Sequence, residues 1–411
     1  MIQKIKGTMD ILPEDAVLFR HIESVMREEA GRYGFGEIRL PTFELTELFV
    51  RGVGDTTDVV QKEMYTFRDG EDSLSLRPEG TAGTVRALIE NGRYNEPMPQ
   101  KYYYIMSCFR HEKPQAGRSR EFFQFGTEMF GAETPAADAT VIALAASVLK
   151  RLGLDHVKLH LNSIGCKECR PVYKKALTDY FTERKDRLCD TCRERLGRNP
   201  LRLLDCKEAG CVALAKEAPK TVDSLCPACR AHFEAVKQSL AAMGIDFTVD
   251  TSIVRGLDYY TRTVFEFVAE GIAAQSTVCG GGRYDGLVES LGGPALAGIG
   301  FGMGLTRVIM AMKQAGVALP AAETPALYIA SLGEAAAVRA LAVAERLRKT
   351  GFAVECDLVG RSLKAQMKYS GKIGARYTLI LGENEIASGK APLKDMLTSE
   401  QREVDIDTFT L

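Results

Sequence analysis

The sequence predicts an α+β chain of two or three domains, and three observations carry that prediction. Residues 102–110 and 120–130 read as two long strands, joined by a link that holds Pro114 and Gly117, which makes an antiparallel hairpin. Eight of the eleven cysteines crowd into the stretch from Cys166 to Cys229, where the pattern is mostly helical. After a linker at 318–325, strand and helix patterns alternate as β-α-β-α-β, which predicts parallel strands with right-handed crossovers. A chain of 411 residues is long enough to bury more than one core.

Bulk composition narrows the class without naming a function. Hydrophobic content of 45% and charged content of 26% are ordinary for a globular protein. The net charge of −1 means that any surface for a polyanion must be local. The N-terminus, MIQKIKGTMDILPEDA, lacks the apolar segment of a signal peptide, and no apolar run is long enough to span a bilayer. A soluble, cytosolic protein is expected, and in that compartment the cysteines are reduced or metal-bound rather than disulfide-linked.

Taken in order, residues 14–33 form an amphipathic helix with Val17, Leu18, His21, Ile22, Val25 and Met26 on its core face. His21 is expected to be a packed core histidine. Glycines at 31, 34 and 36 end this segment, and a strand at 37–40 runs into Pro41. The stretch 44–58 contains the loop RGVGDTTD. Residues 64–67 and 73–77 pair across a turn at Asp69-Gly70. RPEGTAGTVRALIE, 77–90, is a loop opening a helix with Thr81 as N-cap, where free amides could meet an anion or a dipole.

Alternation along the hairpin places Gln124 and Glu128 on the face of Arg120, and Arg110 on the face of Cys108 and Met106. If the register brings these faces together, Arg110, Gln124 and Glu128 form one polar surface, with Phe123, Phe125 and Met129 in the core behind it. His111, Lys113 and Arg118 in the link suit a phosphate-rich ligand, and equally a solvated loop. A helix at 137–151 and a strand at 157–162 follow. The eight clustered cysteines then pair in sequence as Cys166/Cys169, Cys189/Cys192, Cys206/Cys211 and Cys226/Cys229. That is the right number for two four-cysteine zinc sites, but small thiols packed as apolar groups satisfy the same pattern. Spacing does not show which pairs meet, so no metal ligand is assigned.

The chemistry-bearing stretch is RGLDYYTRTVFEF, 255–267. It sets a guanidinium, a carboxylate and two phenols in front of a strand on which Thr261, Thr263, Phe265 and Phe267 alternate with Arg262, Val264, Glu266 and Val268. So many polar tips must be hydrogen-bonded or wet. They build either a structural network or a pocket for a small polar ligand, with Arg255 aimed at an anion and the tyrosines as walls. Gly298, Gly300, Gly302 and Gly304 leave one face of a second strand bare, and a helix carrying Arg307 follows at once. In the C-terminal segment, Arg361, Lys364 and Lys368 lie at helical spacing within a run free of acidic residues, either a solvated face or an RNA contact.

These residues together resemble the histidyl-tRNA synthetase family of class II aminoacyl-tRNA synthetases, from residue 5 to about 410. RGLDYYTRTVFEF and CGGGRYDGL (279–287) are similar to the two histidine-specific motifs of the family, and residues 40–67 to motif 1 of the class and the segment following it. FRHEKPQAGRSREFFQFGTEMFG (109–131) resembles motif 2, GIGFGMGLTRV (298–308) motif 3, and RPEGTAG (77–83) the loop that holds the amino group of histidine. The resemblance implies a mixed, largely antiparallel sheet of six or seven strands with flanking helices. It implies a catalytic domain split over 1–163 and 249–320, a mostly helical insertion at 164–248, and an α/β anticodon-binding domain at 325–411.

By the same resemblance, Glu79, Thr81, Gln124 and Glu128 hold the amino group of L-histidine, and Tyr259 and Tyr260 line the imidazole pocket. Arg110 grips the α-phosphate of ATP and Arg307 the γ-phosphate end, while Arg118 meets phosphates or the tRNA acceptor end. Arg255 is the electrophilic catalyst, and Mg²⁺ bridges the pyrophosphate oxygens. Motif 1 implies a homodimer. A regulatory paralogue without ligase activity is the alternative, but such a chain is expected to lose the arginines of motifs 2 and 3 or the anticodon domain. A class II enzyme for another amino acid is disfavoured by the paired tyrosines.

Overall fold

The hairpin expected from the sequence sits inside an eight-stranded sheet. Its order is Gly36–Glu37, Gln100–Phe109, Glu121–Phe130, Gly298–Gly304, Thr277–Arg283, Thr261–Val268, Lys158–Ser163 and Thr248–Val249. The computed structural model describes residues 1–55, 57–204, 206, 208–253, 259–271 and 276–411. They form two units, Met1–Pro320 and Ala321–Leu411. In the first unit the six long strands pair antiparallel, and a two-residue strand adds to each edge in parallel. The strand expected at 37–40 is thus only Gly36–Glu37, and Thr248–Val249 is too short to show an alternation in sequence.

One face of the sheet is dry. Phe125, Met129, Phe265, Phe267, Ile299, Phe301 and Met303 are buried there beneath the helices Pro13–Arg32, Pro135–Arg151, Pro227–Ala242 and Leu305–Gln314. Side chains alternate along each strand, so the neighbours of these residues point to the other face, where the cavity lies. On the first helix Leu18, Ile22, Val25 and Met26 are buried as expected, but His21 is exposed. Phe19 and Ala30 close that face instead, because the buried stripe is centred on the other side of Leu18 and Ile22.

Between Lys158–Ser163 and Thr248–Val249 the chain is helical, with Cys169–Thr182, Asp190–Arg198, Ala209–Glu217 and Pro227–Ala242 as its main helices. Tyr173, Leu177, Phe181, Leu188 and Leu214 give part of this stretch a core of its own. In the second unit the strands Val354–Cys356, Leu327–Ser331 and Tyr377–Leu381 are parallel, as read from the sequence. Lys390–Asp395 and Gln401–Asp405 extend that sheet antiparallel, a hairpin the sequence reading omitted. Among the described residues, no helix is long and apolar enough to cross a membrane.

Candidate active site

The register of the hairpin decides where the polar residues go. Met106 faces Gln124 and Tyr102 faces Glu128, so the register does bring the two polar faces together. The next strand, Gly298–Gly304, pairs Gly300 with Glu128 and Gly304 with Gln124. A Cβ at Gly300 would collide with the Glu128 carboxylate and the Thr127 carbonyl, and one at Gly302 with the Gln124 amide. The bare face thus receives the two polar side chains of its neighbour strand. On the sheet's far side of this strand, Gly280 also lines the cavity.

That cavity, of about 740 Å³, gathers most of the residues singled out in the sequence. Glu79, Thr81, Arg110, Arg118, Gln124, Tyr259, Tyr260 and Arg307 all line it. Glu128 is set into the wall behind, 1% exposed. Its Oε1 accepts hydrogen bonds from the Thr81 hydroxyl (2.7 Å) and the Tyr104 hydroxyl (3.1 Å), and its Oε2 accepts one from Tyr284. Burial pushes the Glu128 carboxyl up to about 8, the three hydroxyl donors oppose that rise, and the nearby Glu79 adds to it. Burial also raises Tyr104, Tyr259 and Tyr284 well above the usual phenol range, so they are neutral donors at pH 7. The Tyr259 ring lies 4.6 Å from Tyr260 and 5.6 Å from Tyr284, a three-ring wall beside Glu128.

Thr81 is the first residue of the helix Thr81–Glu90, and its hydroxyl is taken up by Glu128, so it does not cap the helix. Glu79 does so. Its Oε2 accepts the Thr81 amide (2.6 Å) and its Oε1 the Ala82 amide (2.9 Å). Burial raises the Glu79 carboxyl, and these amide bonds and Arg110 counter the rise.

The cationic side of the cavity comes from motif-like segments far apart in the chain. Arg110 donates from Nε to the Pro78 carbonyl (2.9 Å) and stacks over Phe122 at 5.3 Å. Arg118 pairs with Glu112 at 2.8 Å. Arg307 donates to the carbonyls of Gly117 (3.0 Å) and Thr277 (2.7 Å), which fastens the hairpin link and the strand Thr277–Arg283 to the start of the helix Leu305–Gln314. Burial pushes the Arg307 guanidinium down, and Arg118 and Arg110 push it further. Three cations that repel one another across a cavity make a site for a polyanion. Arg255 lies outside the described residues, so its position is not among these observations.

Four contributors were missed in the sequence. Tyr104 and Tyr284 hold Glu128, and Arg195 and Arg202 reach the cavity from the cysteine-rich stretch. Tyr104 shares the parity of Met106 and Arg110, so strand alternation already placed it on the right face. Nothing local pointed to Arg195 or Arg202. Behind the cavity, Arg283 is fully buried and bonds Asp138 (3.0 Å from Nε), Asp285 and the Ala132 carbonyl, while His232 bonds Asp138 at 2.8 Å. This group ties the end of Thr277–Arg283 to two core helices.

In the second unit, Arg361 precedes the helix Leu363–Lys372, pairs with Asp357 at 2.7 Å and stacks over Tyr369 at 4.2 Å. Lys364 and Lys368 stand exposed one turn apart on that helix.

An antiparallel sheet that, with its hairpin link and the helices Thr81–Glu90 and Leu305–Gln314, gathers arginines and buried carboxylates about one cavity, and a separate α/β unit after it, define a class II aminoacyl-tRNA synthetase fold. The model of the family described as histidyl-tRNA synthetase matches residues 7–308, and that of the anticodon binding domain matches residues 326–410. The chain belongs to the histidyl-tRNA synthetase family. It is 52% identical to the histidine–tRNA ligase of Acetivibrio thermocellus over 410 residues, covering 100% of this chain and 98% of that one. It is 50% identical to the histidine–tRNA ligase of Desulforamulus reducens, covering 99% and 97%. The crystal structure of apo S. aureus histidyl-tRNA synthetase superposes with a TM-score of 0.83 at 38% identity, covering 99% of this chain and 98% of that one.

Proposed function

We infer that the chain joins L-histidine to its cognate tRNA at the expense of ATP, through a histidyl-adenylate. The observation that carries this reading is the composition of the cavity: two buried carboxylates and a tyrosine wall, with Arg110, Arg118 and Arg307 lining the same space. The carboxylates and rings suit an amino acid with a small polar ring, and the arginines suit a triphosphate. Relatives about 50% identical over nearly their whole length are histidine–tRNA ligases, so a regulatory subunit without ligase activity is not favoured.

In this proposal the histidine ammonium is held by Thr81, Gln124 and Glu128, with Glu79 adding charge, and the imidazole lies against Tyr259 and Tyr260. ATP enters as its Mg²⁺ complex. The histidine carboxylate attacks the α-phosphorus, the bond to the β-phosphate breaks, and pyrophosphate leaves. Negative charge grows on the non-bridging oxygens during that step. Arg110, and Arg255 as the electrophilic catalyst, stabilise it more in the transition state than in the ground state. Arg307 holds the γ-phosphate end, and Arg118 the phosphates or the tRNA acceptor end. The tRNA's terminal ribose hydroxyl then attacks the acyl carbon and AMP departs. A phosphate oxygen of the adenylate accepts the proton, so no protein base is assigned.

Residues 1–163 with 249–320 would form the catalytic body, 164–248 an insertion, and 325–411 the anticodon reader, with Lys364, Lys368 and Arg361 toward RNA. A homodimer is supported by the segment resembling motif 1. Phe43, Leu45 and Phe67 there are exposed, and Phe43 and Phe67 meet edge to face. A cytoplasmic place accords with a role in protein synthesis.

Pyrophosphate exchange run with each of the twenty amino acids tests the reading. Histidine alone should support exchange. Arg255→Ala should fold and bind histidine yet lose about 10²–10³-fold in exchange, the usual cost of one transition-state donor. Exchange with a different amino acid would end the assignment, and full exchange in Arg255→Ala would end the role given to that residue.

A further inference from the structure

All eleven cysteines are described, and none is joined in a disulfide. Eight of them sort without remainder into two groups of four. Cys166 and Cys169 meet Cys226 and Cys229, and Cys189 and Cys192 meet Cys206 and Cys211. The arrangement is nested, the outer pairs closing on each other and the inner pairs likewise. Within each group every sulfur lies within 4.8 Å of the other three. The Sγ separations are 3.7 Å for Cys166 to Cys169, 4.0 Å for Cys166 to Cys226 and 3.8 Å for Cys189 to Cys206.

Those separations choose among three chemistries. A disulfide needs sulfurs about 2.05 Å apart, so none of these pairs is one. Four thiolates bound tetrahedrally to zinc at about 2.3 Å stand about 3.8 Å apart, which is the spacing seen. Thiols packed merely as small apolar groups have no reason to gather in fours, and the other three cysteines, Cys108, Cys279 and Cys356, belong to neither group.

The backbone around each group is arranged to receive sulfur ligands. The Cys226 amide donates to Cys169 Sγ at 3.1 Å, and the Cys189 amide donates to Cys211 Sγ at 3.3 Å, so each group carries an N–H to sulfur bond across its two halves. Each group also joins the first turns of two helices. Cys169 and Cys229 lie in the first turns of Cys169–Thr182 and Pro227–Ala242, and Cys192 and Cys211 in those of Asp190–Arg198 and Ala209–Glu217. Helix N-termini offset the net negative charge that four thiolates leave on a divalent ion.

The geometry points to two structural zinc sites of the four-thiolate type, one built from Cys166, Cys169, Cys226 and Cys229, the other from Cys189, Cys192, Cys206 and Cys211. With four protein sulfurs each, neither has an open position for substrate. The outer site fastens the two ends of the cysteine-rich stretch together. The inner site braces the turn that brings Arg195 and Arg202 to the cavity.

The test is metal content of the full-length protein, purified under reducing conditions without chelator and measured by mass spectrometry. About two zinc ions per chain are expected. A mercurial thiol reagent should release both, in step with the blocking of eight thiols. Cobalt substituted for zinc should give sulfur-to-cobalt charge-transfer bands and the visible bands of a tetrahedral site. The double variant Cys189→Ser with Cys192→Ser should retain one zinc, with the outer site intact. Zinc at one equivalent or less per chain in the unmodified protein overturns the proposal. So does iron in its place, or eight thiols that react at the rate of free cysteine while zinc is present. The wild-type measurements decide the matter even if the variants fail to fold.

Discussion

Histidine binding should expel a proton from Glu128. With its carboxyl at about 8, Glu128 is about nine-tenths protonated at pH 7 and about one-tenth at pH 9. An ammonium arriving at Thr81 and Gln124 favours the carboxylate, so binding strips that proton. The quantity to measure is the number of protons exchanged on binding, from titration calorimetry in buffers of different ionisation heat. Histidine's own amino group also titrates, so wild type is compared with Glu128→Gln, in which that contribution persists alone. The difference should be about 0.9 proton released at pH 7 and about 0.1 at pH 9. The variant should bind histidine about tenfold to a hundredfold more weakly, since a hydrogen bond to a charged group contributes about 1.5–3 kcal/mol. Equal proton counts in the two proteins at pH 7 would refute the placement of the ammonium at Glu128.

Three further outcomes follow from the same geometry. The raised Glu128 and Glu79 carboxyls stabilise the fold most below their unfolded value near 4.5, and that contribution is lost as pH rises through the folded values. Thermal melts of ligand-free protein should therefore fall between pH 5 and 8, and Glu128→Gln should flatten the slope; an unchanged slope in the variant counts against the buried acid. Gly300→Ala would press a methyl onto the Thr127 carbonyl as well as the Glu128 carboxylate, so histidine-dependent exchange should drop at least about fivefold, as an overpacking cost of about 1–3 kcal/mol would give; near-normal exchange would show that the strand can shift. Arg283→Leu leaves Asp138 buried against His232 alone and should cost about 3–5 kcal/mol in urea denaturation, whereas a loss below about 1 kcal/mol would show the group to be a weak tie.

What could be read from the sequence was whatever obeys a short period. Strand alternation put Gln124 and Glu128 on one face and Phe125 and Met129 on the other but left the hairpin register open, and the structure supplies it by pairing Met106 with Gln124 and Tyr102 with Glu128. Cap preference failed at Thr81 because the fold offers its hydroxyl a partner 47 residues away, leaving the helix amides to Glu79. Helical spacing grouped Arg361 with Lys364 and Lys368, although Asp357, four residues before Arg361, claims it. His21 was one position off the buried stripe, a shift that the period alone does not fix. Which cysteine pairs meet, and that Arg195 and Arg202 approach the cavity, depend on how helices fold back over distances that no local pattern encodes.

The bare strand Gly298–Gly304 has a consequence for anyone wishing to retarget such a site. Discrimination between amino acids is usually altered by changing the side chains that touch the ligand. Here one supporting strand contributes none at Gly300 and Gly302, and the room left by their missing atoms is already filled by Glu128 and Gln124. Any new group introduced at Gly300 or Gly302 must first displace Glu128 or Gln124, the side chains proposed to hold histidine. Altered selectivity therefore has to be sought in the tyrosine wall, at Tyr259 and Tyr260 rather than at Tyr284, which donates to Glu128.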